Sequence, residues 1–294
     1  MYKKDSKEKN ERREEPLWMR KNLELLMQRN KIPEDIFNKI FHNEIIPLQS
    51  MQMHIEHYYK PKSEEDIRRI DRIMSNLCLN KNDKVLDIGC GTGTFVYHTS
   101  KLCSMAIGID YSIGSVKRAS EINKKFITNG KRYFVCADLK AIPLKESIFD
   151  KIVAADIIEH LSKRQKLFVF KEVYRVMKKE GVLVIGTPNG LLVKFSYFLM
   201  KLKTVKAKIL GGDFPRPDIT TASHIGLTDI FELKKLARNR YTVKTKYFID
   251  NIPFISRRLG RFPNIISFLT NLLKKIPLIR DFFTTYIMMV MKKI

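Results

Sequence analysis

The chain has 294 residues, 44% of them hydrophobic, and 55 Lys and Arg against 31 Asp and Glu give a net charge of +24. This is enough apolar material for one elaborated domain, but Lys and Arg interrupt every apolar run before the roughly 18 residues that a membrane span needs. The four cysteines, Cys78, Cys90, Cys103 and Cys136, form no Cys-x-x-Cys pair and no apolar leader opens the chain, so a reduced, cytoplasmic protein without disulfides is expected.

The first 15 residues are nearly all charged or polar with mixed sign, the composition of a disordered end. From Leu17 to Phe41 apolar residues recur at helical spacing around a break at Pro33, so residues 1–62 are expected to form a charged N-terminus and a helical cap. Ser63 opens SEEDIRRIDRIMSNLCL with a Ser-x-x-Asp cap, and an amphipathic helix follows. Then KVLDI, MAIGI, RYFVC, FDKIVAA and GVLVIG read as buried strands. Helices alternate with them: one ending near Cys103, one starting at Ser112 and one capped by Ser162 and Gln165. That alternation predicts a doubly wound α/β domain with a parallel sheet covered on both faces. TDIFELKKLARN reads as a further helix, and YTVKTKYFI and the final TTYIMMVMKK as two more strands. Helical insertions are expected at about 190–223, after the fifth strand, and 251–282, between the sixth and seventh.

The stretch VLDIGCGTGTF sets Gly89, Gly91 and Gly93 directly after the first strand. Gly93 is followed by Thr94 and Phe95, so no lysine reaches a phosphate as in a P-loop. The spacing Gly-x-Gly-x-Gly also departs from the dinucleotide fingerprint. The second strand ends in Asp110, where a carboxylate can accept from two ribose hydroxyls. The third ends at Asp138, near the same crevice, where an adenine amino group would lie.

These segments, with CADLKAIPLKESIFDKIVAADIIEHL and VYRVMKKEGVLVIGTPN, follow in order from Lys84 to Asn189. In them the chain resembles the class I S-adenosylmethionine-dependent methyltransferases, which have a seven-stranded Rossmann-like sheet. The final helix, strand, insertion and strand fit that family's antiparallel last hairpin. The resemblance implies a methyltransferase domain over 63–294 that uses S-adenosylmethionine. It implies that Gly89, Gly91 and Gly93 lie along the methionine and ribose, that Asp87 anchors the loop and the amino group, and that Asp110 holds the ribose. Asp138 with Leu139 would address the adenine, and Ala155 would complete the cofactor site. A donor that carries a sulfonium and an ammonium calls for close backbone and carboxylates rather than a lysine.

Asp156-Ile157-Ile158-Glu159-His160 ends the fourth strand, where open α/β sheets place their ligands. With His224, which precedes a helix expected to be capped by threonine, it resembles the O-methyltransferases of ubiquinone biosynthesis and the small-RNA terminal 2'-O-methyltransferases. By that likeness Glu159, His160 and His224 are the catalytic candidates, and Asp156, Glu159, His160 and His224 are the candidate ligands of a divalent metal. Such a donor set suits Mn, Fe or Zn better than Mg. Asp156 stands where the pattern has Glu, which shortens one arm. The alternative gives Glu159 and His160 to capping and packing, and His224 to general-base work without a metal. Thr187-Pro188-Asn189 ends the fifth strand as either an ordinary turn or a substrate contact.

From Gly190 onward there are 20 Lys or Arg against 6 Asp or Glu. LLVKFSYFLMKLKTVKAKIL repeats lysine at positions 194, 201 and 208 beside an apolar stripe, the pattern of a helix lying on an anionic membrane surface. A lid over the acceptor is the competing reading, and RNA binding the third, disfavoured because the aromatics fall on apolar faces. The expected function is O-methylation of a lipid-linked, quinone-like or saccharide acceptor, a small molecule or a lipid, at the inner membrane face. RNA 2'-O-methylation is the alternative enzyme, and a cofactor-binding interaction module without turnover the non-enzyme alternative.

Overall fold

The structure is a computed structural model, and it describes residues 55–126, 130–196, 198, 226–248 and 275–294. The expected cap helices before residue 55, the greater part of both insertions and His224 lie outside the described residues.

The strands fall where the sequence predicts them: β1 (Lys84–Ile88), β2 (Met105–Asp110), β3 (Lys131–Cys136), β4 (Phe149–Ala155), β5 (Met177–Pro188), β6 (Tyr241–Phe248) and β7 (Tyr286–Lys293). They form one seven-stranded sheet in the order β3-β2-β1-β4-β5-β7-β6. β1 to β5 pair in parallel, while β7 inserts antiparallel between β5 and β6. The expected α/β doubly wound sheet with a terminal antiparallel hairpin is therefore the observed one. Its strand order reverses between β1 and β4, which opens a crevice beyond the carboxyl ends of those two strands.

Helices cover both faces. On one side lie α1 (Glu64–Leu77), α2 (Thr94–Ser100) and α3 (Ile113–Lys124); on the other, α4 (Lys163–Val176) and α5 (Ile230–Ala237). α6 (Pro277–Phe283) leads into β7. α1 buries Ile73 and Leu77 against Val85, Val153, Val184 and Met288 of the sheet. α4 buries Val169, Phe170, Val173 and Val176 in the opposite core with Ile152, Leu183 and Met289. The caps explain where these helices begin. The Ser63 hydroxyl accepts from the Asp66 N–H, and Ser162 and Gln165 form a reciprocal capping box. α5 corrects an expectation: its cap is Asp229, whose carboxylate accepts from the Glu232 N–H, rather than a threonine. Thr228 instead donates its hydroxyl to the Glu232 carboxylate.

A single π-helical turn, Ile55–Tyr59, precedes α1 and closes on the glycine loop. Tyr59 is buried, its ring stacked on Phe126 and tilted against Tyr97. Its hydroxyl donates to the Thr92 carbonyl and accepts from the Asn123 amide at 2.6 Å.

Candidate active site

The three glycines after β1 all have positive φ, but they are needed for different reasons. A Cβ at Gly89 would lie 2.5 Å from the Ile157 side chain, and one at Gly93 would lie 2.8 Å from both Asn123 and Phe134. At Gly91, with φ +51°, a Cβ would meet nothing within 4 Å. The space over Gly91 is thus open, and backbone there is available to a ligand.

Two carboxylates face this loop. The Asp110 carboxylate, at the tip of β2, accepts from the Gly91 N–H and the Ser112 N–H, both at 2.9 Å. Burial raises its pKa. Asp87, in β1, is buried more completely, and its pKa is raised well above the carboxylate range by burial and by the Asp110 charge, with Arg69 and the Val96 N–H opposing. Asp87 Oδ2 is one of two buried side-chain polar atoms without a hydrogen-bond partner among the described residues. An orphaned buried oxygen of this kind needs a donor. A ligand with an ammonium group and two vicinal hydroxyls would supply donors to Asp87 and Asp110 together, so these residues fit S-adenosylmethionine.

Asp138 and Leu139 follow β3. Leu139 is buried in the core, whereas the Asp138 carboxylate is exposed and taken by its neighbour Lys140, through the backbone N–H at 2.9 Å and the ammonium at 3.1 Å. Ala155 closes β4, in register with Gly186 of β5.

The turn after β4 does not gather its polar side chains at one point. Asp156 has φ +54°, which turns it toward α1. There its carboxylate accepts from Arg69 at 2.8 and 2.5 Å and from the Tyr286 hydroxyl at 2.9 Å. Burial opposes the charge on Arg69, and Asp156 more than offsets it. Glu159 points the other way, into the interior, where it accepts from the Thr187 hydroxyl at 2.9 Å. His160 ends a single 3-10 turn and is half-buried.

Among the described residues no three His, Cys, Asp or Glu side chains come together as a metal site. The expected ligand set of Asp156, Glu159, His160 and His224 is therefore corrected for its first three members. Asp156 is neutralised by an arginine, and Glu159 is buried against a hydroxyl. His224 lies outside the described residues.

Burial, together with the Asp156 charge, pushes the Glu159 pKa up to about 8. The folded chain then holds a proton on Glu159 that the unfolded chain releases near the ordinary carboxylate value. Stability from this group is full below that value and is lost as pH rises toward 8. Glu159→Gln, which mimics the protonated acid, is expected to remove this slope. In urea unfolding at pH 5 and pH 8.5, the variant should gain on the wild type by on the order of 1–4 kcal/mol between the two. Parallel pH profiles would contradict a protonated Glu159.

Three residues of the site carried no sequence signal. Arg69 is one of two adjacent arginines in an amphipathic helix, Tyr286 belongs to a strand and Tyr59 to a segment that reads only as cap. Their roles appear once α1 and β7 are laid side by side on the sheet.

A family profile described as a methyltransferase domain matches residues 79–224, from the end of α1 past β5. Residues 79–224 thus carry a methyltransferase domain of the class I S-adenosylmethionine-dependent type. It is 36% identical over 115 residues to a phosphoethanolamine N-methyltransferase of Plasmodium falciparum, covering 39% of this chain and 42% of that one. It is 29% identical over 136 residues to the mitochondrial ubiquinone biosynthesis O-methyltransferase of Mus musculus, covering 45% of this chain and 35% of that one. The chain thus spans less than half the length of these methyltransferase relatives. A mycolic acid cyclopropane synthase, solved in complex with SAH, shares the fold at a TM-score of 0.54 and 18% identity, over 87% of this chain and 97% of that one. No helix among the described residues is long and apolar enough to cross a membrane.

Proposed function

We propose that the chain transfers a methyl group from S-adenosylmethionine to an oxygen of a lipid-linked, quinone-like or saccharide acceptor. The observation that carries the donor half is the pairing of an orphaned Asp87 oxygen with Asp110 beside open backbone at Gly91. When bound, the donor supplies an electrophilic methyl group on a sulfonium. Asp110 would accept from the ribose hydroxyls and Asp87 from the amino group, while Asp138, Leu139 and Ala155 would border the adenine side. Positioning provides most of the rate of an in-line displacement, and an acceptor hydroxyl also needs a base for its proton.

His160 and His224 are the proposed bases. His160 closes the 3-10 turn that follows β4. His224 is two residues before Gly226, whose N–H donates to the Glu159 carbonyl at 2.7 Å. The same Gly226 is held through its carbonyl by the buried Lys166 ammonium at 2.6 Å. A Cβ at Gly226 would lie 1.8 Å from the Leu161 carbonyl oxygen, so only glycine permits this approach. Glu159 keeps its proton at neutral pH and serves that turn by hydrogen bonding. The basic, apolar segments after β5 and after β6 would cover the acceptor or rest on an anionic membrane surface.

The reading is tested by methyl transfer from labelled donor into fractionated cell extract. Label in the lipid or glycan fraction supports it, and label in RNA would move the function to 2'-O-methylation. Absence of product in every fraction, with donor bound, would leave a cofactor-binding module. His224→Ala is expected to keep donor affinity and to lower turnover at least 100-fold, on the order of what general-base catalysis contributes. Unchanged turnover would remove His224 from the site.

A further inference from the structure

Next to the Asp156 site, on the face of the sheet covered by α1, lies an open groove of about 660 Å³. Arg68, Asp71, Arg72, Ser75 and Asn76 of α1 line one wall, and Lys246 and Phe248 of β6 the other. Three cations thus face one acidic side chain. The Arg72 guanidinium lies 4.3 Å from the centre of the Phe248 ring, which fixes its plane. Arg68 is also paired with Glu64, one turn earlier on α1, at 3.0 Å. Ser75 and Asn76 add a hydroxyl and an amide, although Asn76 also donates to the Arg72 carbonyl at 2.6 Å.

The groove is adjacent to the candidate active site along both α1 and β6. Arg72 follows Arg69 by one helical turn, and Arg69 holds Asp156. Across the sheet, Phe248 is in register with Tyr286, whose hydroxyl holds the same carboxylate. A planar guanidinium with a nearby ammonium and hydroxyl matches a tetrahedral oxyanion, which accepts two parallel N–H bonds from arginine.

We propose that this groove binds a phosphate-bearing group and, on the methyl-transfer reading above, that it is the phosphate of the acceptor. The phosphate can belong to a free phosphoester or to a lipid headgroup. The test uses glycerol 3-phosphate, the chemistry common to both, titrated calorimetrically into the full chain with and without S-adenosylhomocysteine. Saturable binding is expected, with a dissociation constant at least 10-fold higher in Arg72→Gln and unchanged in Lys117→Gln, a distant surface lysine of α3. Sedimentation with phosphatidylglycerol vesicles then separates the sources. A smaller bound fraction for Arg72→Gln assigns the site to a headgroup, and an equal fraction assigns it to a soluble phosphoester. No saturable glycerol 3-phosphate binding, or the same affinity in Arg72→Gln, overturns the proposal. Arg72→Gln should bind S-adenosylhomocysteine as the wild type does. If the wild type itself fails to bind S-adenosylhomocysteine but binds glycerol 3-phosphate through Arg72, the methyl-transfer reading falls and the groove remains.

Discussion

Asp110→Ala is expected to weaken binding of S-adenosylmethionine at least 100-fold while leaving the far-UV circular dichroism of the chain unchanged. Two hydrogen bonds from ribose hydroxyls to an ionised acceptor would be lost, each worth about 1.5–3 kcal/mol, and about 2.7 kcal/mol suffices for 100-fold. The substitution also frees the Gly91 and Ser112 N–H groups that the carboxylate holds now. Asp110→Asn keeps an acceptor oxygen for one of them but turns a donor toward the other, so it should fall between alanine and wild type. Calorimetric titration of the three proteins measures the series, and wild-type affinity in the alanine variant would sink the ribose assignment.

Arg69→Met is expected to be the most damaging change at the crevice. It leaves Asp156 with the Tyr286 hydroxyl as its side-chain partner and removes the cation that holds down the raised pKa values of Asp87 and Glu159. Breaking a fully buried ion pair costs roughly 3–5 kcal/mol. Here the side chains are 34% and 28% exposed, so about 2 kcal/mol of stability is the expected loss. Turnover should drop further than stability does, by at least 100-fold, because Asp156 carries the backbone from β4 past the crevice at positive φ. Arg69→Lys restores charge without the two-pronged contact and should recover part of the stability and less of the rate. Urea unfolding together with labelled-methyl assays would read both. Equal turnover in the methionine variant would remove Arg69 from the site.

The inner strands of the sheet were legible because they are largely buried and so read as near-continuous apolar runs, and the Ser63 and Ser162 caps mark their helices directly. The positions of the proposed donor residues were legible for a related reason. Gly89, Gly91, Gly93, Asp87 and Asp110 are contiguous with strand ends, so local sequence fixes where they stand. The side of the crevice opposite them was harder to read. The spacing of Asp156, Glu159 and His160 suggests a shared focus, but the positive φ at Asp156 and the pull of Arg69, 87 residues earlier in the chain, send its carboxylate elsewhere. No window of sequence contains that pair. The same limit hid Tyr286 and the groove under Arg72, since each depends on which strand lies beside α1.

Tyr59 ties the segment before α1 to the carbonyl of Thr92 and is itself fixed by Asn123. The glycine bend is consequently held in place by the fold itself, and on the proposed reading its loss of conformational freedom accompanies folding instead of opposing association with the donor. Shortening the chain to begin at Ser63 would keep every strand together with Asp87 and Asp110, yet would leave that bend without the Tyr59 tie.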